Sequence, residues 1–189
     1  MSAPGGRPLR WLAGLDRAMF ASVQAHRGGH AIAVARWVSG LAEPGVVYPG
    51  LAAAGLLAAW ARRSGWRAAV RPPLVAGSGA VARHLVSQAL ARPRPPAGAW
   101  LIQPQGFSLP SRHVTLAALA AGAGCRALGV PGLPGWTAPL LATAGVGASR
   151  VCLGVHWPGD VLAGWLFAES WLRLTDALLR SRPPTGPGG

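Results

Sequence analysis

Residues 149–160, SRVCLGVHWPGD, set a serine, an arginine, a histidine and an aspartate within twelve positions. His156 and Asp160 are four apart, so they share a face if a helix starts here, and Pro158 suits its first turn. Asp160 can then hold one ring nitrogen and leave the other free, which orients imidazole as a nucleophile and stabilises the positive charge it gains. A second histidine, His113, closes the tetrapeptide PSRH at 110–113, ahead of an alanine-leucine run. At a helix start, exposed backbone N–H groups favour an anion, and His113 is placed to protonate a leaving oxygen. A third segment, SQALARPRP at 87–95, contributes Arg94. With Arg150 it can neutralise phosphate oxygens in bidentate fashion. This is the inventory for moving a phosphoryl group. Asp160 is the only carboxylate in the three segments, whereas a two-metal phosphatase needs several. The expectation is therefore phosphoryl transfer through His156, hydrolysis of the phosphohistidine by water, and neither metal nor cofactor.

These segments must be positioned by elements of unusual composition. Of 189 residues, 51% are hydrophobic, all 18 basic residues are arginine, and the acids are only Asp16, Glu43, Asp160, Glu169 and Asp176. A net charge of +13 with arginines clustered on a soluble face would suit nucleic acid. Here they punctuate apolar runs instead, which argues against nucleic acid and for an anionic membrane surface. Cys125 and Cys152 lie in apolar stretches without metal-ligand spacing and read as buried structural residues.

Along the chain, LRWLAGLDRAMFASVQAH places Leu12, Leu15, Met19 and Val23 on one stripe and reads as an interfacial helix, with no signal peptide ahead of it. Six apolar runs follow, at about 28–43, 45–61, 68–91, 113–129, 136–153 and 157–178. The fold class expected is all-α, an integral-membrane bundle of about six transmembrane helices. The first run is short and carries Arg36; Arg71, Arg83 and His84 interrupt the third, where charge at membrane depth calls for an internal partner or a site. Arg62, Arg63, Arg67, Arg71, Arg126, Arg173, Arg180 and Arg182 mark the even-numbered connections and the C-terminal end. By the positive-inside rule these and both termini face the cytoplasm, and the three chemical segments face outside in a multi-pass plasma-membrane protein. Trp100, Trp136, Trp157 and Trp165 read as interfacial anchors, His26 and His30 as interfacial and non-catalytic, and Arg92 as either a headgroup contact or a cradle cation.

The three segments, in this order, resemble the signatures of the type 2 phosphatidic acid phosphatase (PAP2) superfamily. Ser149, Arg150, His156 and Asp160 match its third signature, SRxxxxxHxxxD, completely. PSRH resembles PSGH with Arg112 at the glycine, and SQALARPRP resembles KxxxxxxRP with Ser87 at the lysine. The resemblance implies His156 as nucleophile, Asp160 as its partner, His113 as acid, and Arg94, Ser111 and Arg150 as phosphate cradle, with six membrane helices, an exoplasmic site and no metal. Arg112 or Arg83 is the expected substitute for the missing lysine cation, with His84 and Arg92 as further candidates; Ser87 itself reads as a packing residue. A required positive φ at Arg112 would cost about 1 kcal/mol. The expected organisation is an N-terminal tail and interfacial helix over 1–27, the phosphatase domain over 28–182 and a disordered tail over 183–189. The expected substrate is a lipid phosphate or isoprenyl (pyro)phosphate entering from the bilayer. Two other readings stand beside it, a lipid-phosphate binding protein with a decayed cradle and a membrane scaffold or transporter subunit.

Overall fold

The computed structural model describes residues 7–129 and 136–180. Among them are seven α-helices and no strand: α1 (Arg7–His26), α2 (Gly29–Gly40), α3 (Pro44–Ala61), α4 (Trp66–Leu90), α5 (Arg112–Leu128), α6 (Thr137–Cys152) and α7 (Pro158–Arg180). The helix ends follow the breaks in apolar character to within a few residues. Pro44 and Pro158 occupy first-turn positions, where a missing N–H costs nothing. Gly129 ends α5 in the left-handed conformation. The expected tail at 183–189 lies outside the described residues.

α5 is the axis of the bundle, packed by α3, α4, α6 and α7. Its residues His113–Leu119 are all buried. Val47, Leu51, Ala76, Leu116, Leu119, Ala123, Ala168 and Leu172 form the main core between α3, α4, α5 and α7. Gly55 lets α3 approach α4 closely, since a Cβ there would run into the Ala69 carbonyl. The outward faces are apolar too: Leu56, Leu57, Leu74, Val81, Leu85, Leu141, Leu162 and Leu166 are all exposed. A bundle apolar inside and out is built for lipid. By length and composition α3 can cross a bilayer, and α4, with 25 residues, is about 37 Å long. Its internal Pro72 and Pro73 are the kind of interruption tolerated where neighbouring helices supply support.

α3 to α7 run alternately between the two ends of the bundle. α2 differs from its expected role as a span. It has 12 residues, about 18 Å, and both its ends meet the same end of the bundle: Ala31 lies against Cys152, while Ser39 and Glu43, beyond its last turn, reach Arg150 and His113. α1 packs on α6 and α7, and the Arg27 guanidinium after it donates to the carbonyls of Ala99 and Cys152. The two N-terminal helices therefore gather at one end of the bundle, where the loops 91–111 and 153–157 also lie.

The opposite end holds an arginine network. Arg71 and Arg126 share the Asp176 carboxylate at 3.1 and 2.8 Å, and Arg62 donates to the Ala127 carbonyl. Charges interrupting apolar runs thus find internal partners: Arg36 donates to Leu101 O and Arg83 to Pro110 O. The cysteines are free and only half-buried, less enclosed than their setting suggests.

Candidate active site

The loop between α6 and α7 is five residues long, and Gly154 turns it with φ +78. A Cβ at Gly154 would run into the Ala99 carbonyl. The turn delivers His156, 1% exposed, against Asp160 in the first turn of α7, 0% exposed. His156 Nδ1 lies 3.3 Å from Asp160 Oδ2. The same oxygen accepts the Trp157 backbone N–H at 2.8 Å, closing the first turn of α7, and the Ser108 hydroxyl. Asp160 Oδ1 accepts from Arg92 at 2.7 Å.

The other ring nitrogen settles the tautomer. His156 Nε2 stands 3.1 Å from Arg94 Nη1. Arg can only donate, so Nε2 presents its lone pair and the ring proton resides on Nδ1, facing Asp160. Burial holds the His156 pKa at about 4, against the pull of the Asp160 hydrogen bond, with the Arg94 and Arg150 charges adding to burial. His156 is therefore a neutral imidazole with its basic nitrogen turned away from its carboxylate.

Arg94 is a clamp. Its Nε and Nη2 donate to the carbonyls of Gly106, Gln105 and Phe107, at 2.9, 2.7 and 2.9 Å, and Nη1 donates to Val155 O at 2.7 Å. It binds the loop 101–110 to the His156 turn, and desolvation lowers its pKa. Loop and turn are also joined through Asp160, whose carbonyl accepts the Ser111 N–H at 3.1 Å.

One cavity of about 210 Å³ is lined by Glu43, Arg94, Ile102, Gln103, Pro104, Gln105, Arg112, His113, Arg150 and His156. All three chemical segments thus meet in one place. Both histidines, and the arginines at 94, 112 and 150, face the same space. Arg150 is buried and donates to Ser39 Oγ at 2.7 Å, while its Nε and the Ser111 hydroxyl are buried without a partner. Arg112 is the first residue of α5 and does not adopt positive φ, so the feared strain is absent. Arg83 is not in the lining: buried on α4, it donates to Pro110 O at 3.0 Å. His84 is exposed and Ser87 buried. Neither supplies charge to the cavity.

Sequence reasoning missed three participants. Glu43, at the N-cap of α3, sits 2.8 Å from His113 Nε2 and 4.0 Å from the Arg112 guanidinium. Its pKa is lowered by the His113 hydrogen bond against a smaller desolvation effect. Ser108 and Asp16 are the others. Two tryptophans also differ from simple anchors, because the Trp157 and Trp100 indoles donate to Pro93 O and Pro95 O within the loops. Among the described residues no three His, Cys, Asp or Glu side chains converge as metal ligands.

The superfamily profile named PAP2 matches residues 68–182, which contain this whole cavity except Glu43. The chain belongs to the PAP2 superfamily. It is 33% identical over 158 residues to the decaprenylphosphoryl-5-phosphoribose phosphatase of Mycolicibacterium smegmatis, covering 79% of this chain and 81% of that one. It is 36% identical over 85 residues to the undecaprenyl-diphosphatase of Sulfolobus acidocaldarius, across 45% of this chain and 38% of the other. The transmembrane PAP2 type phosphatidylglycerolphosphate phosphatase from Bacillus subtilis shares the fold, with a TM-score of 0.77 at 24% identity, over 92% of this chain and 89% of that structure. This PAP2 protein is a membrane enzyme, a lipid phosphate phosphatase.

Proposed function

We propose that this PAP2 phosphatase hydrolyses a phosphate ester carried by an isoprenoid lipid, through a phosphohistidine on His156 and without a metal. The observation that carries the reading is the His156 geometry: Nδ1–H on Asp160 and Nε2 at the wall of an arginine-lined cavity, its lone pair accepting from Arg94, a contact that must part before Nε2 attacks. Nε2 attacks phosphorus, the bond from phosphorus to the ester oxygen breaks, and that oxygen takes a proton from His113. Water then loses a proton to His113 as its oxygen attacks phosphorus, and the P–N bond breaks to regenerate His156. Asp160 compensates the imidazolium charge at each stage. Arg112 and Arg150 hold the phosphoryl oxygens, Ser111 is a further donor, and Arg94 fixes the nucleophile's turn beneath them. The missing lysine charge is replaced by Arg112, which faces the cavity, and not by Arg83, which supports the Pro110 carbonyl.

The isoprenoid assignment rests on the activities of the Mycolicibacterium and Sulfolobus relatives. The proposed orientation, with the far end in the cytoplasm and the cavity outside, is supported by the positive-inside rule applied to Arg62, Arg63, Arg67, Arg71, Arg126 and Arg173 near that end. With α1 and α2 at the cavity end, the N-terminal helices lie on the outer side and α7 ends in the cytoplasm, a revision of the expectation that both termini share one side.

The test is phosphate release in detergent from polyprenyl phosphates and from a phosphatidic acid control, together with alkaline-quench trapping of label from a ³²P-substrate, since a P–N bond survives base and not acid. His156→Ala should lose both turnover and trapped label. Full turnover in that variant would overturn the reading.

A further inference from the structure

Asp16 is a buried carboxylate on a helix outside the three signature segments, and its two oxygens are both committed. Oδ1 accepts the Gly159 backbone N–H at 2.7 Å, and Oδ2 pairs with Arg92 Nη2 at 2.5 Å. The other Arg92 nitrogen, Nη1, donates to Asp160 Oδ1 at 2.7 Å. One guanidinium therefore bridges a carboxylate on α1 and the carboxylate that holds His156. Its outer face rests near the Trp157 ring, 6.0 Å from the centroid, and Phe20 of α1 packs on the same ring at 5.1 Å. Arg92 is absent from the cavity lining.

We infer that Asp16 and Arg92 are positioning residues for the phosphoryl-transfer step, acting through Asp160 to hold the His156 ring in its attacking orientation. The inference rests on the role proposed above for His156 and Asp160. Asp160 Oδ2 serves His156, Trp157 N–H and Ser108, so the torsion of the carboxylate depends on what grips Oδ1. That grip is Arg92 alone among the described contacts. A free arginine at this spot would swing toward solvent or lipid phosphate and would draw Asp160's charge from the imidazole. Asp16 opposes both: it fixes the fork from the far side and balances its charge. Asp16 also accepts the Gly159 N–H in the first turn of α7, so α1 is tied to the helix that carries Asp160. α1 turns Leu12, Leu15, Met19 and Val23 outward. The seating of this helix in the membrane surface is thereby linked to the alignment of the nucleophile.

Asp16→Asn isolates the charge, because the amide oxygen still accepts from Gly159 and α1 stays docked. It should lower kcat by on the order of 10- to 100-fold, the scale of a small misplacement, with KM for a water-soluble lipid phosphate analogue and Ki for orthovanadate within about twofold of wild type. Asp16→Glu should recover most of the loss. Arg92→Gln should lower kcat at least as far, and the double variant should be no slower than Arg92→Gln, because Asp16 acts through Arg92. Arg92→Gln should also raise the pH of the acid limb of kcat/KM, since Asp160 then acts on His156 unshielded; the other charges bearing on the ring, Arg94 and Arg150, are unchanged. Wild-type kcat in Asp16→Asn, or losses that simply multiply in the double variant, would overturn the inference. Should Asp16→Asn fail to elute as a monodisperse species, Arg92→Gln and its pH profile decide the matter alone. Activity surviving in His156→Ala would strike the underlying mechanism instead, whatever Asp16 does.

Discussion

Glu43 Oε1 lies 2.8 Å from His113 Nε2, and the two residues reach the cavity from different helices, α3's N-terminal cap and α5's first turn. A carboxylate on the wall of a phosphate site is an electrostatic liability unless it serves the acid. Glu43 stabilises the protonated form of His113, the form that donates to a leaving oxygen in the proposed mechanism, and would repel the phosphoryl group that this mechanism brings close. The two effects separate in a single variant. Glu43→Gln keeps a hydrogen-bond acceptor and removes the charge. The expected outcome is a kcat reduced by roughly 10-fold, short of the roughly 10²–10⁴-fold that loss of a general acid brings, together with tighter inhibition by inorganic phosphate. Steady-state kinetics with product inhibition checks it; an unchanged kcat would show that Glu43 does not serve the acid.

The buried state of His156 sets a pH signature. Charging the ring means charging it away from water, so its pKa is depressed to about 4. The neutral imidazole then persists as pH falls from 8 to 5 and is lost only as pH drops through about 4. An unperturbed histidine, near 6.5, would be roughly nine-tenths or more protonated at pH 5. ¹⁵N-histidine spectra of the detergent-solubilised enzyme, assigned by difference against His156→Gln, should show a neutral Nδ1–H imidazole at pH 5.5. A titration midpoint above 6 would contradict the burial account.

The two arginines near the altered second signature separate by position. Arg112 faces the cavity and Arg83 lies behind it, tied to the Pro110 carbonyl. Arg112→Gly should raise Ki for orthovanadate by roughly 10-fold, the loss of one charge-assisted contact at a half-exposed site, with little change in thermal stability. Arg83→Ala should lower stability by about 1–3 kcal/mol, because it leaves a buried carbonyl unpaired, with a smaller effect on Ki. Thermal unfolding and vanadate inhibition, measured on both variants, distinguish them. A swap of the two patterns would reassign the compensating charge.

The helices were legible because each apolar run ends near a proline or glycine that breaks the helix or an arginine that is costly in lipid, and the three segments were legible because antiparallel helices bring alternate loops to one end. α2 was not: its 12 residues look like a truncated span, and only the contacts of Ala31, Ser39 and Glu43 show it stays at the cavity end. Glu43 and Asp16 carried no motif and stood far from their partners in the chain. Scarcity was the available signal. With five acids in an apolar chain, each carboxylate needs a cation or a histidine, and the structure gives every one such a partner: Asp16 with Arg92, Glu43 with His113, Asp160 with His156, Glu169 with Arg173 and Asp176 with Arg126. Asp160's partner was legible in its four-residue spacing from His156, whereas the partners of Asp16, Glu43 and Asp176 depend on the fold.

The turn that carries His156 makes the last prediction. Gly154 adopts φ +78, a region that costs a residue with a Cβ on the order of 1–2 kcal/mol, and here the added methyl would also meet the Ala99 carbonyl oxygen. A backbone atom cannot rotate aside as a side chain can, so either the 3₁₀ turn Ala97–Ala99 or the His156 turn must shift. The second is anchored through Val155 O and His156 Nε2 on Arg94, Leu153 O on the Leu101 N–H, the Trp157 indole on Pro93 O and the Asp160 network. A displacement of about 1 Å at His156 is enough to cost on the order of 10²-fold in kcat. Gly154→Ala should therefore lose activity and a few degrees of thermal stability together. Gly98→Ala, in the facing turn and with open space around its Cα, is the matched control and should retain both. Equal, near-wild-type kinetics in the two variants would mean that the turn accommodates a side chain and that His156 is held by the Asp160 and Arg94 contacts alone.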